Sequence, residues 1–220
     1  MKVYRYIQNY QVEILSDPLT TVNGIKHKQS AKISFFDINN NLIERKEYGV
    51  VDVKSLYKKI KDKSPIDVSN CLVRGFSLSE YRSKFKLNQN EKIDLIDFCA
   101  NDALFESEKV VDFSLANFTG TKADFTNAHF GSGNLSFLKA EFGNFPVSFK
   151  GTSYSEGNNI FQYTKFNSGK VNFDNATFEN GNLSFINTYF GDGNISFKNV
   201  HFGNGDVSFA FATFKKGSVI

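Results

Sequence analysis

Phenylalanine recurs at an interval of twelve residues through the second half of the chain. One series runs unbroken from residue 113 to residue 209, and a second, offset by five residues, runs from residue 118 to residue 214 with one tyrosine in it. A helix repeats about every 3.6 residues and a strand alternates every second residue, so neither produces this interval over about a hundred residues. The interval predicts a solenoid of stacked repeats. The first series comprises Phe113, Phe125, Phe137, Phe149, Phe161, Phe173, Phe185, Phe197 and Phe209, and the second comprises Phe118, Phe130, Phe142, Tyr154, Phe166, Phe178, Phe190, Phe202 and Phe214.

Each repeat is predicted to contain two short strands. A small or apolar residue precedes most of the series residues by two positions, as Ala116 precedes Phe118. Residues two apart on a strand point to the same side, so both side chains are expected inside the solenoid. A Gly-x step such as Gly181-Asn182 separates the strands, and we expect its glycine to supply a positive φ at a tight corner.

The repeat resembles the A-(D/N)-(L/F)-x-x motif of the pentapeptide-repeat proteins. Residues 111–125 contain the segments VDFSL, ANFTG and, after a two-residue step, ADF. The resemblance covers roughly residues 96–220 and implies a right-handed, four-sided parallel β-helix. The chain departs from the family motif by a two-residue Gly-x insertion after every second face, so the repeat is five plus seven residues long.

The residues that follow the first phenylalanine series decide between coils of 12 and of 24 residues. Alternate repeats carry an apolar residue there, and the repeats between them carry polar residues or glycine. This alternation predicts two repeats per coil, with four faces and a rise of about 4.8 Å between coils. We name the two positions the odd and the even corner. The odd corner carries a row of apolar residues, the apolar edge, which comprises Leu115, Leu138, Tyr163, Ile186 and Phe211.

The amino-terminal part of the chain is predicted to form a separate capping module. Residues 1–64 lack the repeat and contain two β-rich segments, a turn at Asn39-Asn40-Asn41 and a helix that begins after Asp52 as N-cap. We therefore predict a small β-hairpin and helix module that covers the open end of the solenoid, and a solenoid over residues 65–220. Segments that resemble the pentapeptide motif begin at Ile66. A segment rich in Lys, Glu and Gln predicts a helical insertion near residues 79–94.

The sequence predicts no catalytic residue, metal site or cofactor. Cys71 occupies an inward position, whereas Cys99 follows Phe98 and is expected to face outward. His129 and His201 occupy the same repeat position three coils apart, about 14 Å, which is too far to share a metal ion. His27 lies in a Lys-rich segment and is expected on the surface.

Two glycine-rich segments, residues 131–133 (GSG) and 191–193 (GDG), resemble fragments of phosphate or calcium loops. They lack the Lys-Ser/Thr of a phosphate loop and the acidic density of a calcium loop. We therefore interpret them as solenoid corners.

Charge and composition narrow the class of function. Some pentapeptide-repeat proteins protect DNA gyrase by mimicking duplex DNA, a role that needs a strongly negative surface. Residues 111–220 contain eight lysines, no arginine and eight acidic residues, so their charges cancel. Mimicry of DNA is therefore the second hypothesis. The absence of a long apolar run or a signal-peptide pattern predicts a cytoplasmic protein with neither a membrane nor a nucleic-acid partner. Twenty-two lysines against four arginines indicate a bacterial source.

The apolar edge gives the favoured hypothesis, a non-catalytic scaffold that binds another protein through Leu115, Leu138, Tyr163, Ile186 and Phe211. The alternative for this edge is that residues 1–64 or the insertion cover it. The sequence ends at Ile220, where the next phenylalanine is due, which predicts either a homodimer through the C-terminal coil or a longer natural chain. An enzyme with a site in the amino-terminal half is the third hypothesis.

Overall fold

The structure is a computed structural model that describes residues 7–131 and 133–220. The amino-terminal strands and helices are β1 (Asn9–Leu15), β2 (Leu19–Thr20), β3 (Lys26–His27), β4 (Ser30–Phe36), β5 (Leu42–Val51), α1 (Val53–Lys61), β6 (Cys71–Arg74), α2 (Leu78–Lys84), β7 (Ile93–Cys99), β8 (Leu104–Glu106) and β9 (Val110–Asp112). They are followed by β10 (Ala116–Asp124), β11 (His129–Phe130), β12 (Asn134–Ser136), β13 (Glu141–Phe142), β14 (Val147–Ser148), β15 (Ser153–Tyr154), β16 (Asn159–Ile160) and β17 (Lys165–Phe166). The last strands are β18 (Val171–Asn172), β19 (Thr177–Phe178), β20 (Leu183–Ser184), β21 (Tyr189–Phe190), β22 (Ile195–Ser196), β23 (His201–Phe202), β24 (Val207–Ser208) and β25 (Thr213–Phe214).

One coil of the solenoid contains 24 residues, as predicted. Phe130 pairs in parallel with Tyr154, which pairs with Phe178 and then with Phe202. Face 1 contains β9, β12, β16, β20 and β24; face 2 contains the start of β10 with β13, β17, β21 and β25; face 3 contains the end of β10 with β14, β18 and β22; and face 4 contains β6, β8, β11, β15, β19 and β23. The prediction of a mainly β, four-sided parallel β-helix is confirmed, with about seven turns.

Four columns of aromatic rings fill the interior. We call the ring columns that precede the odd and the even corner the odd side and the even side. On the odd side, Phe137 stacks on Phe161 with the ring centroids 5.0 Å apart, and on the even side Phe149 stacks on Phe173 at 4.8 Å. Rings of neighbouring columns meet edge to face, as Phe137 meets Phe149 at 5.6 Å and 84°. Both arrangements suit the ring quadrupole, so each ring contributes contact energy besides its burial of about 1.5–3 kcal/mol.

The glycines of the Gly-x steps serve two purposes, of which one was predicted. Gly133 has the predicted positive φ, 113°, as does Gly120 directly before a step, 91°, whereas Gly181 does not. Gly151, which lies at the even corner and not in a Gly-x step, has a φ of 66°. A Cβ on Gly181 would lie 1.9 Å from the carbonyl oxygen of Gly157 in the preceding coil. A glycine such as Gly181 is needed because successive backbones approach too closely for a side chain.

The amino-terminal strands form an antiparallel meander, β1-β4-β5, that continues into the solenoid. The C-terminal end of β5 pairs in parallel with β6, so the meander and face 4 belong to one sheet. The predicted turn at Asn39-Asn40-Asn41 joins β4 to β5, with Asn40 at a φ of 59°. Because one sheet crosses the proposed boundary, the division of the chain at residue 64 stays a prediction.

Helix α1 covers the amino-terminal end of the interior. The carboxylate of Asp52 accepts the N–H of Lys54 at 2.9 Å, which confirms the predicted N-cap. Leu56, Tyr57 and Ile60 are buried in the same cluster as the aromatic columns. Helix α2 begins one residue before the predicted insertion and ends at Lys84, and residues 85–92 contain turns. Strand β7 begins at Ile93, inside the predicted insertion.

The meander packs against the outside of face 4. The ring of Phe35 lies 4.7 Å from that of His129, and a Cβ on Gly131 would touch the ring of Tyr10. Lys46 of β5 forms an ion pair with Asp102 at 3.3 Å. A second, smaller core therefore joins the meander to the outward side chains of the first coils.

Candidate interaction surface

The structure places the five residues of the apolar edge on one corner of the solenoid, between face 1 and face 2. They belong to two adjacent rows, one position apart in the chain. The first row comprises Ser114, Leu138, Gln162, Ile186 and Ala210, and the second comprises Leu115, Lys139, Tyr163, Asn187 and Phe211. The apolar edge therefore zigzags between rows from coil to coil, with Leu115 donating its N–H to the carbonyl of Leu138 at 2.8 Å and Tyr163 donating to Ile186 at 3.0 Å.

The two aromatic residues are the most exposed members of the apolar edge. Leu115, Leu138 and Ile186 are half-buried, whereas Tyr163 is 49% and Phe211 83% exposed. Tyr163 lies in the middle of the solenoid, where the coils above and below are both present. Its exposure therefore comes from its corner position.

The second row lies in a backbone conformation that large side chains avoid. Leu115, Tyr163 and Phe211 have φ values of 56°, 56° and 57°. Left-handed backbone costs an ordinary residue about 1–2 kcal/mol, and Gly, Asn and Asp avoid most of that cost. The even corner has the same conformation and uses those residues: Asn127, Gly151, Asn175 and Asn199.

The segments that could cover the apolar edge lie mainly elsewhere. The meander packs on face 4, which adjoins neither side of the odd corner. The insertion contacts the first odd corner, where Arg82 donates to the carbonyl of Ser114 at 2.5 Å and Ile93 donates to that of Leu115 at 3.0 Å. Arg82 is 1% exposed and also donates to the carbonyl of Glu91, so it fixes the insertion beside Leu115.

Opposite charges flank the apolar edge at the two neighbouring corners. The corner between faces 4 and 1 is mainly acidic, and the corner between faces 2 and 3 is mainly basic. The acidic corner carries Glu108, Lys109, Glu156, Glu179 and Asp206, and the basic corner carries Asp97, Lys122, Lys170, Asp192, Lys215 and Lys216. Glu179 is 8% exposed, and burial raises the pKa of its carboxyl group. The surface therefore changes from negative to apolar to positive around the solenoid.

The structure brings together Cys71 and His27, a contact that sequence reasoning missed. The Cys71 Sγ lies 3.4 Å from His27 Nε2 and also donates to the carbonyl of Ser69 at 3.3 Å. His27 is half-buried against Gly49, where a Cβ would lie 2.2 Å from the imidazole, so it is less exposed than a histidine on an open surface loop. The two residues are 44 positions apart and share no motif, so no signal in the sequence connects them.

The contact between Cys71 and His27 does not activate the thiol. Burial raises the pKa of Cys71 to about 12 and lowers that of His27, so both groups stay neutral near pH 7. The thiolate is the nucleophilic form of cysteine. A cleft of about 890 Å³ opens beside His27 between β3, β5 and α1, but Cys71 is not on its wall. An enzyme with a site in this half stays a prediction without support from this pair.

The remaining candidate residues also lie apart from one another. Cys99 is 6% exposed, which corrects the expectation that it faces outward into solvent, and burial raises its pKa. His129 lies under the meander, where burial lowers its pKa to about 3, and His201 is three coils away on the same face. Ser132 of the GSG segment lies outside the described residues.

The described residues contain neither a metal-binding cluster nor a membrane-spanning helix. Residues 7–131 and 133–220 contain no cluster of three or more His, Cys, Asp or Glu that could hold a metal ion. Over the same residues, no helix has the length and apolar character needed to cross a bilayer.

Comparison of the chain with protein-family models, with curated proteins and with solved structures finds no match. The pentapeptide-repeat assignment thus remains a prediction from the motif and its register.

Proposed function

We propose that this protein is a scaffold that binds another protein along the apolar edge. The observation that carries the proposal is the conflict at the odd corner between side chain and backbone. Tyr163 and Phe211 occupy positive-φ positions that asparagine fits better, and about half of Tyr163 and most of Phe211 are exposed. Folding gains little from them there, whereas an exposed apolar row is what a contact surface requires.

The dimensions of the apolar edge suit a single elongated element of the partner. Leu115 and Phe211 are four coils apart, which corresponds to about 19 Å at the spacing of paired strands. A helix of about 13 residues has that length. The exposed aromatic residues Tyr163 and Phe211 would be its main contacts, since aromatic side chains dominate the energy of interfaces.

The charges beside the apolar edge would orient the partner. An element with basic residues on one side and acidic residues on the other would meet Glu156 across face 1 and Lys170 across face 2. Complementary charges of this kind increase the rate of association and fix the orientation more than they add affinity. The partner we propose is therefore an amphipathic element with opposite charges on its two flanks.

Site-specific crosslinking tests this proposal. A photoreactive phenylalanine analogue replaces Tyr163 in one variant and Asn199, which is exposed at the even corner, in the other. Both sites have a φ near 56°, so the probe has the same local geometry. We expect a specific adduct with one protein from Tyr163 in cells that produce the chain, and none from Asn199. Equal adducts from both corners, or none from Tyr163, would contradict the proposal.

A competition experiment separates loss of binding from loss of folding. The first competitor is the chain with Tyr163→Asn and Phe211→Asn, which places asparagine, the residue found at the even corner, at the odd corner. Added in excess, it should leave the adduct unchanged, whereas the unlabelled original chain should suppress it. The variant with Tyr163→Glu and Ile186→Glu should also fail to compete. Suppression by either variant would mean that the apolar edge is not the binding surface.

The other predicted functions have weaker support. A mimic of DNA needs a continuous negative face, whereas the acidic residues here lie diagonally opposite a basic corner. The homodimer through the C-terminal coil stays a prediction. Its candidate contacts are the exposed Phe202, Phe214 and Val219 of the last coil.

A further inference from the structure

Strand β1 lies at the edge of the sheet that runs through the meander and face 4. It pairs with β4 on one side over all seven residues, from Asn9 opposite Phe36 to Leu15 opposite Ser30. On its other side it has no neighbouring strand among residues 7–131 and 133–220. Every second residue of an edge strand directs its backbone N–H and C=O away from the sheet, where they can pair with another strand.

Three contacts locate this edge on the molecule. Lys46 of β5 reaches Asp102, which precedes face 4; Phe35 of β4 reaches His129 on face 4; and the ring of Tyr10 on β1 reaches Gly131, which follows face 4. The three strands of the meander thus follow one another across face 4, and β1 lies over its far side. The free edge of β1 therefore points away from its own solenoid, so a neighbour could approach it.

The sequence of β1 lacks the residues that usually prevent an edge strand from pairing with a strand of another molecule. The segment NYQVEIL contains no proline and no lysine, and its one charged residue is Glu13. In the same chain Glu13 lies opposite Lys32 of β4. Tyr10, Val12 and Ile14 point to the side that faces the solenoid, and Ile14 is still 42% exposed. Edge strands with this composition tend to pair with another chain.

The segment is complementary to itself when two copies run antiparallel about Val12. In that register Val12 faces Val12 of the second copy, Tyr10 faces Ile14, and Gln11 faces Glu13. No two glutamates meet, and the exposed Ile14 lies beside Tyr10 of the second copy. A twofold axis produces every contact twice, as closed dimers require.

We propose that two copies of this chain associate through their β1 strands, which pair antiparallel about a twofold axis at Val12. The result is one continuous sheet in which the three meander strands of each copy meet at β1 and lead through β6 into face 4 of each solenoid. This surface is separate from the apolar edge and from the C-terminal coil, so the dimer leaves both available.

Two substitutions at Gln11 should change the dimer in opposite directions. Gln11 is exposed and lies opposite Ser34 in its own chain, so neither change should alter the fold. Gln11→Glu places two like-charged pairs across the axis, and Gln11→Lys places two opposite-charged pairs there. By sedimentation velocity over a range of concentrations, the dissociation constant should increase about threefold to tenfold with glutamate and decrease by a similar factor with lysine. Both effects should diminish at high salt.

A disulfide tests the register. Val12→Cys places two thiols opposite each other on the axis, at a separation that a disulfide can span. Oxidation should crosslink this variant into a covalent dimer, whereas Ile14→Cys, which faces Tyr10, should stay uncrosslinked. The original chain, whose Cys71 and Cys99 are buried, serves as the control.

Four outcomes would overturn the proposal. They are a monomer at every concentration, a dimer whose dissociation constant moves the same way with both Gln11 variants, crosslinking of Ile14→Cys in preference to Val12→Cys, and a dimer insensitive to both Gln11 variants. The last outcome would place the interface elsewhere, such as at the C-terminal coil.

Discussion

The odd and even corners turn the chain with the same backbone and different side chains. At both corners the second residue after the phenylalanine has a positive φ and donates its N–H to the next coil: Leu115 to the carbonyl of Leu138, and Asn127 to that of Lys150, both at 2.8 Å. The even corner carries asparagine or glycine, which tolerate this conformation. The odd corner carries Leu115, Tyr163 and Phe211 among its five residues.

The two corners show which side chains the turn requires and which side chains it only tolerates. Since the even corner shows that small polar residues satisfy the geometry, the large apolar residues of the odd corner are not needed for the turn. A cost of about 1–2 kcal/mol at each of them must be offset by other interactions. The comparison can be tested at three levels: the shared interior, the glycine steps and the corner residues themselves.

The largest expected effect is in the interior, where the two sides should be equivalent. Phe161 on the odd side and Phe149 on the even side are both fully buried between stacked rings. Phe161→Ala and Phe149→Ala should each lower the free energy of unfolding by about 3–5 kcal/mol, because a large cavity remains. Urea denaturation measures both. A clear difference between them would show that the sides differ inside as well as at the corners.

An intermediate effect is expected at the glycines, which have two separate physical roles. Gly181→Ala should destabilise the protein by about 1–3 kcal/mol, because its Cβ would overlap the backbone of Gly157. Gly151→Asn places at the even corner the residue already found at Asn127 and Asn175, and its Cβ would meet only the movable amide of Asn127. Its effect should stay within about 0.5 kcal/mol. Equal destabilisation in denaturant titrations would contradict this distinction.

The smallest effect, and the most direct test, comes from exchanging residues between the corners. Tyr163→Asn should increase the free energy of unfolding by up to about 1 kcal/mol, because asparagine tolerates the positive φ. Asn127→Tyr should decrease it by a similar amount. Both are measured from urea midpoints with unchanged slopes. If Tyr163→Asn is destabilising, the tyrosine has contacts within the chain that offset the strain, and its presence then needs no partner.

The periodic part of the fold could be predicted from the sequence because one interval fixes many contacts. The phenylalanine series predicted which side chains fill the interior, and the alternation at the corners predicted the length of one coil. Residues that pair between neighbouring coils are 24 positions apart. The helix after Asp52 was also predictable from a local signal, the N-cap.

The contacts outside the repeat could not be predicted, because no interval connects them. Phe35 packs on His129, a residue far along the chain, and this contact depends on how the meander folds over face 4. The parallel pairing of β7 buries Cys99, which was expected to face outward, and the contact with Gly49 half-buries His27, which was expected on the surface. At the candidate site, the positions of the apolar residues were predictable, whereas the strain at Tyr163 required backbone angles.

The difference between a repeat of 12 residues and a coil of 24 constrains how such a chain can change in length. Loss of one repeat, such as residues 141–152, would leave every later ring in line with a ring of the preceding coil, so the solenoid could still form. All later repeats would rotate by half a turn, however, and Tyr163 and Phe211 would move to the corner diagonal to Leu115. Insertions and deletions that preserve a straight binding surface are therefore limited to whole coils, twice the length that folding alone requires.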